Sequence, residues 1–300
     1  EKMDMYNKAL FIYNGVAGQT ETDQALAAVL PVISTGTKEL KVVQTEEAGE
    51  TKNISMELGN LYDLVIILGG DGTVHEAING LAVLENRPVL AILPGGTCND
   101  FSRMLNIPQN LKKAAEAIMN GRPTPVDVGK VNNNYFLTFW GIGLITHTSN
   151  NIDENQKRLM GKMSYFISAL RTVKEAEAFR YKMLTDQGEY EDEAVMIMVL
   201  NGKFIGSNQI PLPSINMDDG LFDVLVVKES SFGAFLDVFS LNSPDINLNE
   251  TETRLFHLQT KSLSIETEEV LEADTDGEIY LETPATMEIL KHHIHMIKGN

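Results

Sequence analysis

The chain has 300 residues, a single cysteine (Cys98) and a formal net charge of −18. This length suits about two domains, and one cysteine excludes an internal disulfide and fits a reducing cytoplasm. The acid balance excludes a general nucleic-acid binder, which needs positive charge to displace counterions, and no apolar run approaches the roughly 20 residues of a spanning helix. The opening EKMDMYNKALFIYN lacks the basic and apolar regions of a secretory leader, so none is expected.

The first 130 residues alternate in type, and an α/β domain is expected over 1–125. KALFIYN (8–14), ELKVVQT (39–45), LYDLVIILGG (61–70) and VLAILPGG (89–96) read as strands. TDQALAAVLPVI, AGETKNISMELG, TVHEAINGLAVL, NDFSRML and LKKAAEAIMNG read as helices. Continuous apolar strands imply a sheet covered on both faces, and strand–helix alternation makes it parallel, a doubly wound α/β domain.

At Pro123–Pro125 a PTP linker is expected, and a second domain over 126–286. DVGKVNNNYFLTFWGIG predicts a hairpin turning at NNN. A helical passage over 156–178 follows, then EAVMIMVLN, LFDVLVV, SLSIET, EIYLE, TMEIL and IHMIK as a mostly antiparallel β region. Residues 245–282 hold eleven Asp and Glu against Arg254 and Lys261, half of the net charge, which predicts a solvated face. RLMGKMSYFISALRTVK (158–174) carries four basic residues and no acid. It predicts a helix packed on the domain or, alternatively, a membrane-approach surface using Lys162 and Arg171. HHIH (292–295) predicts a C-terminal strand with exposed histidines, and Trp140 a core position.

Ligands of open parallel sheets bind at the carboxyl ends of strands. Three strands here end in NGVAG (Asn14–Gly18), GGDGT (Gly69–Thr73) and PGGTCND (Pro94–Asp100). Glycine lets an anion approach the backbone, each turn opens a helix whose first N–H groups favour phosphate, and Thr73 and Thr97 add hydroxyl donors. A carboxylate in such a turn repels phosphate unless a cation intervenes. Mg²⁺ takes one or two carboxylates with phosphate oxygens, so Asp71 and Asp100 are candidates; the alternative is that both are turn and cap residues. GxxxxGK[ST], a complete GxGxxG, HRD and DFG are absent.

GGDGTVHEAINGL followed by PGGTCNDFSRMLNIP resembles the catalytic domain of the diacylglycerol kinase family, its bacterial soluble lipid kinases above all. The likeness extends to DVGKVN (127–132), NG (201–202), DDGLFDV (218–224) and DGE (276–278), nearly the whole chain. It implies an N-terminal α/β domain and a C-terminal antiparallel β-sandwich with the active site in the cleft between them, and a final segment, about 287–300, returning to the first domain. It implies ATP-dependent phosphorylation of diacylglycerol or a related lipid. ATP would contact Asn14, Gly15, Val16, Ala17, Gly18, Thr45, Gly70, Asp71, Gly72, Thr73, Val74, His75, Glu76, Gly96 and Thr97. Asp71, Asp100 and Asp127 would position Mg²⁺ and substrate, Glu278 would be the base, and a structural Mg²⁺ would fall on Asn216, Asp219 and the Leu221 carbonyl. A cytoplasmic enzyme meeting its lipid at the inner face of the cell membrane is expected, with a homodimer left open. An NAD kinase and a non-catalytic lipid- or nucleotide-binding regulator are the competing readings; GTxNDF and DGE count against the first.

Overall fold

The computed structural model describes residues 6–15, 19–146, 177–233, 235–236 and 255–300. The chain forms two compact units, Glu1–Val126 with His292–Asn300, and Asp127–Lys291.

The first unit runs β1 (Tyr6–Asn14), α1 (Gln19–Ile33), β2 (Thr37–Thr45), α2 (Glu50–Leu58), β3 (Leu64–Gly69), α3 (Asp71–Leu81), β4 (Val89–Pro94), α4 (Asp100–Met104) and α5 (Leu111–Asn120). The strands are parallel in the order β2-β1-β3-β4. β3 is buried at every residue, as a strand covered on both faces must be. Two helix pairs, α1 with α5 and α2 with α3, supply the cover. Gly80 sets the second contact: a Cβ there would lie 2.3 Å from the Lys52 carbonyl oxygen. The chain leaves β1 for β2 on one side and returns to β3 on the other, so the order reverses beside the carboxyl ends of β1 and β3.

The second unit contains most of β5 (Arg122–Val131), then β6 (Asn134–Phe136), β7 (Phe139–Gly143), β8 (Phe179–Thr185), β9 (Gly188–Ala194), β10 (Met196–Leu200), β11 (Phe204–Ile205), β12 (Asn208–Gln209), β13 (Phe222–Val227), β14 (Phe256–Thr260), β15 (Ser262–Thr267), β16 (Glu272–Thr275), β17 (Glu278–Glu282) and the start of β18 (Ala285–Lys298). One antiparallel sheet has the order β14-β13-β10-β7-β16-β17. Against it stand β9, β8, β15 and the first part of β18, with β5 and β6 alongside. Trp140, Ile197 and Val224 from one sheet meet Met183, Ile265 and Met287 from the other in one core. A second core, with Met196, Met198 and Leu225, lines the opposite face of the first sheet.

Several expectations need correction. The PTP segment is not an irregular loop: Pro123 and Pro125 lie within β5, which crosses the division between the two units at Val126–Asp127 and whose extended backbone suits the fixed φ of proline. The hairpin turns at Asn132, which takes a positive φ, but its second arm splits, because Leu137 and Thr138 carry the chain from β6 to β7 in the other sheet. TMEIL and IHMIK are one strand, β18, whose pattern is broken where His292 takes a positive φ. The histidines are not uniformly exposed: His293 is half-buried, and its Nε2–H donates to the Ala82 carbonyl at 2.8 Å. The acidic tract is not simply a solvated face, since Asp274 and Asp276 are buried. The 158–174 segment lies outside the described residues, as do residues 156–176 of the helical passage expected over 156–178; residues 177–178 are not helical.

Candidate active site

The strand order places the three glycine turns on neighbouring strands. Tyr13 pairs with Leu68 and Gly69 with Pro94, so the carboxyl ends of β1, β3 and β4 lie side by side. The turns after β3 and β4 touch through backbone alone. Gly95 N–H donates to the Gly69 carbonyl at 2.9 Å. A Cβ on Gly96 would sit 2.5 Å from Gly70 Cα, and one on Gly95 2.9 Å from Gly69 Cα. Glycine is needed here for space rather than for an unusual φ. α3 starts at once after Gly70, so its first amides face the opening where a phosphate would be favoured. Residues 70–73 are half-buried and 95–97 exposed, which keeps the cradle open to a ligand.

Asn99, with φ 55°, closes the second turn. Its Oδ1 accepts from Gly96 N–H at 2.8 Å and its Nδ2 donates to the Gly96 carbonyl at 2.9 Å. The Gly96 amide is therefore engaged within the protein. Asp71 Oδ1 accepts from Phe101 N–H at 3.3 Å, which brings Asp71 to the first turn of α4 next to the buried Asp100.

The other nucleotide-side candidates divide. Asn14 ends β1 and Gly15 follows it, Gly72 and Thr73 lie in the first turn of α3, and Thr97 stands on the turn between β4 and α4. Thr45 is buried and its hydroxyl donates to the Tyr13 carbonyl at 3.3 Å. Val74 and His75 are buried in α3. Glu76 Oε1 accepts from Gly49 N–H at 2.9 Å, and so tethers the start of α2 to α3. Val16, Ala17 and Gly18 lie outside the described residues.

In the second unit Asp127 is fully buried, and its Oδ2 accepts from Gly220 N–H at 2.6 Å. Asn201 Nδ2 bridges the Asp127 and Leu137 carbonyls at 3.0 and 2.8 Å. The Asp127–Gly220 bond ties β5 to the loop bearing Asn216, Asp219 and Leu221. Burial pushes the Asp219 carboxyl up, and the charges of Asp223, Asp127 and Asp218 push it the same way. Leu221 N–H donates to Asp219 Oδ1 at 2.9 Å. A carboxyl raised by its neighbours is one a cation relieves, and an amide oxygen, a carboxylate and a carbonyl are the hard donors Mg²⁺ takes. The donor set fits that ion. Among the described residues no group of three or more His, Cys, Asp or Glu is set to hold a metal, so such a site would depend on the neutral oxygens of Asn216 and Leu221.

Glu278 opens β17 directly after a tight turn. Asp276 and Gly277 both take positive φ, 55° and 90°, the geometry of an Asp-Gly hairpin turn, and Thr275 pairs with Glu278 across it. Asp274 Oδ1 accepts from Gly277 N–H at 2.8 Å. Asp276 is the anchor that sequence reasoning missed. Its Oδ1 accepts from Thr138 N–H at 2.8 Å, the Thr138 hydroxyl at 2.6 Å and Phe139 N–H at 3.2 Å, and its Oδ2 from Leu137 N–H at 3.0 Å. The DG dipeptide between two short strands signals the turn, but nothing local signals partners 137 to 139 positions away.

Comparison with known proteins accords with this arrangement. Residues 8–131 match the family described as Diacylglycerol kinase catalytic domain, and residues 143–298 the YegS C-terminal NAD kinase beta sandwich-like domain. A Staphylococcus aureus (strain Newman) protein named "Putative lipid kinase" is 34% identical over 304 residues, covering 98% of each chain. A Bacillus anthracis str. Sterne crystal structure described as a "putative diacylglycerol kinase" is 44% identical, with a TM-score of 0.91 over 100% of this chain and 97% of that one. A second structure from that organism, described as a diacylglycerol kinase, is 43% identical, with a TM-score of 0.88 and 99% of each chain covered. A two-domain chain with glycine turns at its sheet edge, similar along its whole length to these proteins, belongs to the diacylglycerol kinase-like family of lipid kinases.

Proposed function

We propose that this chain transfers the γ-phosphate of ATP to a hydroxyl of diacylglycerol or a related lipid. The observation that carries the reading is the glycine cradle, where Gly69 and Gly70 meet Gly95 and Gly96 backbone to backbone beside Asp71. A backbone-lined opening at a helix start suits the phosphates of ATP, with Asn14, Gly15, Gly72, Thr73 and Thr97 around it. Asp71 and Asp100, brought together at the start of α4, would help hold Mg²⁺, which neutralises phosphate charge when bound. Asn216, Asp219 and the Leu221 carbonyl would hold a second, structural ion.

Glu278 would take the proton of the lipid hydroxyl as its oxygen bonds to the γ-phosphorus, while the bond to the bridging oxygen breaks and ADP departs. The tight turn fixed by Asp276 would keep that carboxylate in place. No helix among the described residues is long and apolar enough to cross a membrane, so the lipid would be met by peripheral contact with the bilayer.

The test is purified protein with labelled ATP, Mg²⁺ and a panel holding diacylglycerol, other hydroxylated lipids and NAD. Label on a lipid hydroxyl is expected; label on NAD alone, or on nothing despite lipid binding, overturns the reading. Glu278→Gln should abolish transfer and leave ATP affinity within about twofold.

A further inference from the structure

β7 and the β16–β17 hairpin set three side chains in a row. Thr275 stands opposite Trp140 on one side and opposite Glu278 on the other. Directly opposed residues of an antiparallel pair project from the same face, their Cβ atoms roughly 4.5–5.5 Å apart. Trp140 belongs to the core between the two sheets of the sandwich. The row therefore starts inside that core, passes through Thr275 and ends at the half-buried Glu278 on the edge strand β17.

Trp140 and Thr275 are both 0% exposed, and neither the indole Nε1 nor the hydroxyl Oγ1 has a hydrogen-bond partner among the described residues. Buried polar atoms are almost always paired, and two orphans on neighbouring strands point to one partner shared between them. An indole N–H only donates, so that partner presents an acceptor, whereas a hydroxyl serves either way. Ile142, Ile197, Val199 and Ala273 are among the apolar side chains of that core. A single water meets these requirements.

We propose that Trp140 Nε1 and Thr275 Oγ1 bind one water inside the sandwich, and that this water donates a hydrogen bond to the Glu278 carboxylate. The water accepts from the indole and the hydroxyl and uses one of its own protons on the carboxylate. Thr275 is then a positioning residue for the base, a role that rests on the phosphotransfer reading above.

Trp140 is the only tryptophan in the chain, so its signals report this site alone. In the wild type, NMR should show the Nε1 proton in contact with a long-lived bound water. Thr275→Val, equal in shape but without the hydroxyl, should lose that contact, shift Trp140 emission to shorter wavelength and raise the Glu278 titration, followed by carbon-13 NMR, by roughly half a unit. The acid limb of kcat should move with it while KM for ATP stays constant. Thr275→Ser should retain all wild-type values. Trp140→Phe, which removes the donor and keeps an aromatic ring, should raise the Glu278 titration as Thr275→Val does. Absence of the water contact in the wild type overturns the site, and an unmoved Glu278 titration in both Thr275→Val and Trp140→Phe overturns its link to the base. The spectroscopic readings need no turnover, so an inactive wild type, or an active Glu278→Gln, counts against the lipid kinase reading alone.

Discussion

Asp276 binds Thr138 twice, accepting at one carboxylate oxygen from both the backbone N–H at 2.8 Å and the hydroxyl at 2.6 Å. The pair joins the turn before Glu278 to the crossing between β6 and β7. Both residues are buried, so the bonds are charge-assisted and shielded from water. Asp276→Ala leaves three backbone N–H groups without their acceptor and should lower stability by about 3 kcal/mol, read from urea unfolding. A loss under about 1 kcal/mol would show that water replaces the carboxylate.

Gly96→Ala tests the cradle. The new methyl would sit 2.5 Å from Gly70 Cα and 3.3 Å from Asn99 Oδ1, with no flexible side chain to give way at the first contact. Stability should fall by about 2 kcal/mol, and ATP affinity by at least about tenfold in a nucleotide titration. Gly233→Ala, where nothing lies within 4 Å, is the control and should change neither. Equal ATP affinity in wild type and Gly96→Ala would remove this turn from the nucleotide site.

His293 makes stability depend on pH. Burial holds its imidazole below the ordinary value of 6.5, with Arg87 acting in the same direction, although the bond to the Ala82 carbonyl opposes them. The unfolded chain therefore binds a proton more readily than the folded one. The contribution is fully present above 6.5 and is lost as pH falls through that value toward the lower folded one. His293→Gln should flatten this part of the profile when unfolding midpoints are compared between about pH 7.5 and pH 5.5. An unchanged slope would assign the pH dependence to other groups.

Asp219 behaves in the opposite sense. Its folded carboxyl titrates above the ordinary 3.8, so its contribution is present below that value and lost as pH rises through the folded one. Without Mg²⁺ at neutral pH, Asp219→Asn should melt at a higher temperature than the wild type. Millimolar Mg²⁺ should raise the melting temperature of the wild type and leave Asp219→Asn unmoved. A Mg²⁺ shift of equal size in both proteins would place the ion elsewhere.

The α/β half was legible because strands buried on both faces read as unbroken apolar runs, LVIILG and VLAILP, and because glycines punctuate their ends. The second half was less so. β8, FRYKMLT, alternates buried and exposed residues within a charged sequence and gave no strand expectation. Pro123 and Pro125 suggested a break where the backbone stays extended, and a single left-handed residue, His292, disguised one strand as two. Turns could be read at the candidate site, but not what their polar atoms already bind. The Thr45 hydroxyl, the Glu76 carboxylate and the Gly96 amide each have partners distant in sequence or set by a turn geometry that residue type alone does not specify.

β18 carries a consequence for synthesis of the chain. Met296 pairs in parallel with Leu90, Gly299 N–H donates to the Leu105 carbonyl at 2.8 Å, and Arg87 Nε donates to the His293 carbonyl 206 positions away. At ordinary ribosomal speeds that separation is a delay on the order of ten to forty seconds. Throughout it β4 is an open edge, competent to pair with another nascent chain. The sheet of the first unit is thus closed only once β18 has been made, and the newly made protein is most exposed to misassembly while its amino-terminal unit waits for that strand.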